Sequence, residues 1–303
     1  MTTIQGHSSR VNAVCFTPDG RYVVSAGDDF AICIHTLPDG RLVRRLNGHS
    51  QPVYDVAVTP DGRYIVSGSA DGTARVWRIA TGREVMRLNG PDSPVHCVDV
   101  SPDGRYIVAG TDDLLIWSLP YFTLTHRLKP FFFVLAAAIT PDSQSVIVGG
   151  ERRIPICTLD LRTGRILEKR PDAAKSVDSL AVSPDGRLAA SWTDGGGIEV
   201  WKRRSGQVLF QSIGYASALT FTMDGNYLLA VGGEALTVYL AETGLEFARQ
   251  ACARQPWRLA VSDDGCRVLV GNKDGSLTIA NLAEFFRGQA SELLHNPAHI
   301  PII

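Results

Sequence analysis

The triplet Pro18-Asp19-Gly20 recurs as Pro60-Asp61-Gly62, Pro102-Asp103-Gly104 and Pro184-Asp185-Gly186. Degenerate copies stand at Pro141-Asp142-Ser143, Met223-Asp224-Gly225 and Asp263-Asp264-Gly265. Counted at the central aspartate, the spacings are 42, 42, 39, 43, 39 and 40 residues. Pro38-Asp39-Gly40 falls outside this register and reads as a separate turn. Seven copies at a fixed period are the signature of a repeat architecture, in which each unit is one supersecondary element that stacks on its neighbours.

Each unit reads as four short strands. An alternating run precedes the triplet, as in Val53-Tyr54-Asp55-Val56-Ala57-Val58. A second run follows it, a third ends near an aromatic residue as in Ala74-Arg75-Val76-Trp77, and a fourth follows a Thr-Gly or Asp-Gly turn. These runs are β-branched, period-2 and punctuated by Gly, Pro and Asp, which marks strands joined by turns. No sustained helical periodicity precedes residue 283. About 28 strands exceed what one sandwich holds, whereas radial repetition accommodates them with only short free edges. The expected fold is all-β, a seven-bladed β-propeller of four-stranded antiparallel blades over residues 1–283. Residues 284–303 are expected to form a tail, with one short amphipathic helix over Leu282–Leu294 that Pro297 and Pro301 end.

The sequence resembles the WD40-repeat family from residue 4 to about 282. Gly48-His49, Ser67-Gly68-Ser69-Ala70-Asp71-Gly72 and Val76-Trp77 carry the resemblance, and Trp117 and Trp201 fill the same tryptophan slot. The aspartate that ends the family's name-giving pair is absent: Arg78, Ser118 and Lys202 follow the three tryptophans. His35, Thr158, Tyr239 and Ala280 occupy the slot elsewhere. Ile4-Gln5-Gly6-His7 aligns with Leu46-Asn47-Gly48-His49, the end of a fourth strand, and the seventh unit has no good fourth strand of its own. The resemblance therefore implies a ring closed by the N-terminal strand.

His49, Ser67 and Asp71 are the residue types of a serine-hydrolase triad. The set recurs as His7, Ser25 and Asp29, however, and a catalytic apparatus is normally built once. The resemblance implies instead a structural brace of His7, Ser25, Asp29, His49, Ser67, Asp71 and Trp77, in which hydrogen bonds stiffen the blades. The fourth unit carries Pro130, Val148 and Arg152 at these positions and is expected to be the least braced. His295 and His299 have helical spacing for a metal, but Pro297 lies between them. Asp194-Gly195-Gly196-Gly197 lacks the lysine and helix of a phosphate loop. Lys202-Arg203-Arg204 reads as a solvated turn. No metal or cofactor is called for.

In the resembling family, ligands bind the loop face and channel mouth. Two aligned positions of each unit place Tyr54, His96 and Trp257 there, with Asp28, Asp112, Glu151 and Asp178 against the single lysine Lys273. Such a mouth favours a basic or N-terminal peptide, although Arg10, Lys175 and Arg254 in neighbouring loops oppose that. Phe131-Phe132-Phe133 replaces a polar loop, and three consecutive aromatics cannot all face one way. Phe131 and Phe132 are either a partner's hot spot or packing that replaces the missing brace. The partner-binding set is thus Tyr54, His96, Asp112, Phe131, Phe132, Asp178 and Trp257.

The expected function is a non-catalytic scaffold for a protein or peptide partner, one version being a regulatory module of a larger signalling or defence assembly. The abrupt start at Gly6-His7 agrees with a module. The alternative is a propeller enzyme or small-molecule sensor that uses the central channel. Lys plus Arg number 30 and Asp plus Glu 31, a formal net charge of −1, which argues against nucleic acid as the partner. The longest apolar run, Phe131–Ile139, is too short to span a bilayer, and no secretory signal opens the chain. The six cysteines show no CxxC spacing and most sit in apolar runs. They read as reduced core residues of a cytoplasmic protein.

Overall fold

A computed structural model describes residues 2–89, 93–119, 121–129, 133–151, 156–170, 176–193, 195 and 197–283. Within these, seven four-stranded antiparallel sheets follow one another along the chain. Blade two is typical, with strands Val53–Val58, Tyr64–Ser69, Thr73–Arg78 and Glu84–Asn89 paired in sequence order. The inner strands of the blades are Val11–Phe16, Val53–Val58, Cys97–Val100, Val134–Ile139, Val177–Val182, Ala218–Phe221 and Pro256–Val261. Each lies beside the next, and Pro256–Val261 returns to Val11–Phe16, so the blades close a ring. The seventh blade takes its outer strand from the other end of the chain: Thr2–Gln5 pairs antiparallel with Ser276–Asn281, Ile4 opposite Leu277. The tail beyond residue 283 lies outside the described residues.

The repeated turn is fixed by local chemistry. In blade one Gly20 takes φ 64°, a left-handed conformation that glycine adopts without penalty. Asp19 accepts hydrogen bonds from the Thr17 hydroxyl (2.6 Å) and from the Arg21 amide (3.0 Å). The hydroxyl partner recurs without exception as Thr59, Ser101, Thr140, Ser183, Thr222 and Ser262, at 2.5–2.7 Å from its aspartate. The seventh-unit triplet and the two other degenerate copies thus build the same turn. Ser143 stands at the glycine position of blade four and takes φ 56°.

The core lies between blades. Val24, Ile32, Ile34 and Leu46 of blade one pack with Val53, Val56, Ile65 and Trp77 of blade two, and equivalent clusters fill the other interfaces. Burying a side chain of this size stabilises the fold by roughly 1.5–3 kcal/mol. Side chains also stitch the inner strands together. Asp55 accepts from the Val98 amide at 2.9 Å, Asp99 from the Ile139 amide at 2.8 Å, and Ser179 from the Leu219 amide at 3.1 Å.

Two expectations need correction. Thr158 does not occupy the tryptophan slot of blade four. The strand register puts Leu159 opposite Val146, where Trp77 stands opposite Ile65. Five residues separate strands Ser145–Gly150 and Ile156–Asp160, against three between Tyr64–Ser69 and Thr73–Arg78, which displaces a gap-free alignment. Tyr121 is 77% exposed, while its neighbour Phe122 meets Tyr64 edge-on. Not all cysteines are core residues: Cys33, Cys97 and Cys157 are buried, but Cys266 is exposed.

Candidate functional site

The His-Ser-Asp geometry of blade two is present in full. His49 bonds Asp71 through Nδ1 (2.8 Å) and Ser67 through Nε2 (2.8 Å). The Trp77 indole N–H donates to the same Ser67 oxygen at 2.8 Å. Ser67 is fully buried, so no substrate reaches its hydroxyl. Blade one repeats the arrangement, with His7 to Asp29 at 2.8 Å and to Ser25 at 2.9 Å. Its tryptophan slot holds His35, a buried ring whose two nitrogens have no hydrogen-bond partner. Of the fourth-blade residues, Val148 is buried in the core, while Pro130 and Arg152 lie outside the described residues.

The two buried histidines titrate differently. Burial disfavours the imidazolium in both. In blade one the hydrogen bond to Asp29 and the neighbouring Cys33 outweigh burial and carry His7 up to about 9. In blade two Asp71 again opposes burial, but the Arg75 guanidinium adds a competing cation, and His49 ends below its ordinary range. Burial pulls His35 down to about 4, with the charge of His7 acting in the same direction.

At the channel mouth, one backbone device positions the side chains. Five inner strands carry a register shift beside their second residue: Asn12, Tyr54, Leu135, Asp178 and Trp257. A bulge leaves that residue unpaired and re-aims its side chain. These five, with His96, Arg10 and Arg258, line a cavity of about 210 Å³. Beneath it a second cavity of about 170 Å³ continues into the channel past Asp55, Cys97, Ser179 and Arg258. Tyr54 and His96 stack face to face, 5.8 Å apart and 5° from parallel, and Phe133 meets His96 edge-on at 6.5 Å.

Four of the residues expected from the sequence therefore converge: Tyr54, His96, Asp178 and Trp257. Asp112 does not line either cavity. Its charge, with that of Glu151, raises the His96 pKa against burial, and the net shift of His96 is downward. Phe131 and Phe132 lie outside the described residues. The sequence reasoning missed Arg258, which stands opposite Gly271 just as Asp55 stands opposite Gly68. That register was the signal available. Arg258 also changes the electrostatics, since Asp28 is already held by Arg10 (3.2 Å) and Asn12 (2.7 Å). An acidic mouth is thus replaced by a divided one. Lower in the channel, burial pushes Asp55 up to about 7 and Asp99 to about 6, against the backbone amides that favour their carboxylates.

A larger groove of about 570 Å³ lies along the turns of blades four to six. Asp142, Asp185 and Glu242 interleave there with Arg187, Lys202, Arg203 and Arg204. Arg203, the middle of the basic run, is 3.7 Å from Asp142 and donates to the Gly186 carbonyl. Among the described residues no three His, Cys, Asp or Glu side chains gather as a metal site, and no helix is long and apolar enough to cross a membrane.

Comparison with known proteins agrees with this architecture. The family model for the first β-propeller of IFT122 matches residues 10–281. Protein groucho of Drosophila melanogaster is 31% identical over 104 residues, which cover 33% of this chain and 14% of that protein. Transducin-like enhancer protein 2 of Mus musculus is 33% identical over 84 residues, covering 27% of this chain and 11% of that protein. The matched segments thus span only a small part of these curated relatives. The chain belongs to the WD40-repeat β-propeller family, within the group described by the IFT122 first propeller.

Proposed function

From membership in a family of generally non-enzymatic scaffolds, we propose that the chain binds a protein or peptide partner at its channel mouth. The observation that carries this reading is the convergence of bulge-borne Tyr54, Leu135, Asp178 and Trp257 with His96 into one cavity. Aromatic residues with polar tips are the usual anchors of protein interfaces, because one end buries and the other bonds. A rigid ring that aims such side chains from separate blades is preorganised, which lowers the entropy cost of association.

Catalysis has little support at this site. Cys97 lines the lower cavity, but burial raises its thiol well above the ordinary range, so it is no nucleophile at neutral pH. A regulatory or signalling module located in the cytoplasm fits a ring of this kind. The test is affinity capture from native lysate with the wild-type chain and with Tyr54→Ala/Trp257→Ala, both first matched for melting behaviour. Partners held by the wild type and lost by the variant are expected. Partners held equally by both would overturn the assignment to the mouth.

A further inference from the structure

Three cations surround one indole at the mouth. Lys273 Nζ lies 4.7 Å from the Trp257 ring centroid, the Arg258 guanidinium 5.1 Å and the Arg10 guanidinium 5.3 Å. An aromatic face attracts a cation, yet gathering three around one ring sets like charges against each other. Arg10 is compensated by Asp28. Neither of the other two forms an ion pair: among the described residues no carboxylate oxygen lies within 4.0 Å of Arg258 or Lys273, and Asp55 and Asp178 act on buried Arg258 only from farther away. Arg258 spends one nitrogen, Nη1, on the carbonyls of Ser217 (2.9 Å) and Trp257 (3.0 Å). A guanidinium has five donors in a fork that matches a carboxylate. Arg258 borders both cavities, so its remaining donors stand where the channel opens.

We infer, building on the proposed scaffold function, that this sector of the mouth receives a carboxylate, carried by an acidic side chain of the partner peptide. Trp257 supplies the apolar floor against which the stem of the side chain packs, and Arg258 and Lys273 supply the counter-charge. The stacked Tyr54 and His96 across the cavity form a flat wall for the flanking residues of the peptide. A polyanion such as single-stranded nucleic acid fits less well. Its successive phosphates would meet Asp178 in the cavity wall and the charges of Asp112 and Glu151 near His96. A single carboxylate needs only Arg258 and Lys273 and meets fewer of these carboxylates than a run of phosphates would.

The test uses short end-blocked Gly/Ser peptides with a central Leu-Glu-Glu-Leu, and counterparts with Gln or Lys in place of Glu. Each carries an uncharged fluorophore for anisotropy, and an oligothymidylate serves as the polyanion. The Glu peptide is expected to bind with a Kd below ~1 mM and more tightly than the others. Arg258→Gln is expected to weaken it about 10- to 100-fold, the range for a lost charge-assisted bond. Lys273→Gln, a surface change that leaves the fold intact, is expected to weaken it several-fold. Arg204→Gln, on the turn between the outer strands of blade five, is expected to change nothing. Equal affinity for the Glu and Gln peptides, tighter binding of the Lys peptide or the oligothymidylate, no binding of the Glu peptide, or indifference to both cation variants would each overturn the inference. Any of these with the natural partner still lost from Tyr54→Ala/Trp257→Ala removes the carboxylate alone and leaves the mouth as the binding site. A partner indifferent to that double variant removes the mouth itself.

Discussion

Replacing Ser67 by alanine removes one oxygen that serves two buried groups. The Trp77 indole N–H donates to it and His49 Nε2 bonds it, both at 2.8 Å. A buried polar group left without a partner costs about 1–3 kcal/mol, so Ser67→Ala costs roughly 2–5 kcal/mol. The change from hydroxymethyl to methyl leaves little void, so a cavity adds little. In blade one the equivalent Ser25 serves only His7 Nε2, because His35 fills the tryptophan slot without bonding. Ser25→Ala therefore costs about 1–3 kcal/mol. At about 2–4 °C per kcal/mol, the drop in Tm is roughly 4–20 °C for Ser67→Ala and smaller for Ser25→Ala. The assay is thermal and urea unfolding followed by far-ultraviolet circular dichroism. A third measurement isolates the cause. In a Trp77→Phe background Ser67→Ala loses one of its two dependants, so its cost falls to that of Ser25→Ala. Equal shifts for the two serines, or an unchanged cost in the Trp77→Phe background, would refute the reasoning.

Other outcomes follow from the same geometry. The folded pKa of His7 is raised from 6.5 to about 9, so its protonation stabilises the fold fully below about pH 6.5 and that contribution is lost as pH rises through about 9. Urea midpoints of the wild type should fall between pH 7 and pH 9.5, and those of His7→Gln should fall less; parallel pH curves would contradict this. Gly275 takes φ 87° beside the seam, and a Cβ there would lie 2.3 Å from the His7 carbonyl. Gly275→Ala is expected to destabilise by more than about 2 kcal/mol, with amide exchange at Thr2–Gln5 accelerated first; a variant as stable as the wild type would show that the seam tolerates displacement. Phe30 takes φ 66° at the position held by Gly72 and Gly275 in other blades and is 42% exposed. Phe30→Gly is expected to leave the Tm unchanged or raise it slightly, because relief of about 1–2 kcal/mol of backbone strain offsets the added flexibility of the unfolded chain; a large drop in Tm would show that the ring contributes packing.

The repeat, the strands and the braces were legible because each rests on chemistry within one blade. An Asp-Gly turn, a period-2 run and a His-Ser-Asp set are all written in a short stretch of chain. Even so, the hydroxyl two residues before each turn aspartate escaped notice, although Thr17, Thr59 and their counterparts repeat without exception. The mouth was half legible. Tyr54, His96, Asp178 and Trp257 follow from a single aligned position, the one that the bulge re-aims. Arg258 did not follow, because its importance depends on which charges from other blades face it. Asp55 and Asp99 look like surface carboxylates of alternating strands, yet each bonds an amide of the next blade. Such cross-blade bonds are non-local and leave no mark on periodicity. Thr158 was misplaced because alignment by turn spacing absorbs loop insertions only when their site is known.

The central claim is that the partner sits on the channel mouth, and site-specific photocrosslinking tests it most directly. A benzophenone side chain is placed at Tyr54, at Trp257 and, on the turn groove, at Arg204, each in an otherwise wild-type chain. Irradiation in native lysate is expected to give a common adduct from the Tyr54 and Trp257 positions and none of that adduct from Arg204. An adduct formed from Arg204 while the two mouth positions remain unlinked would contradict the account.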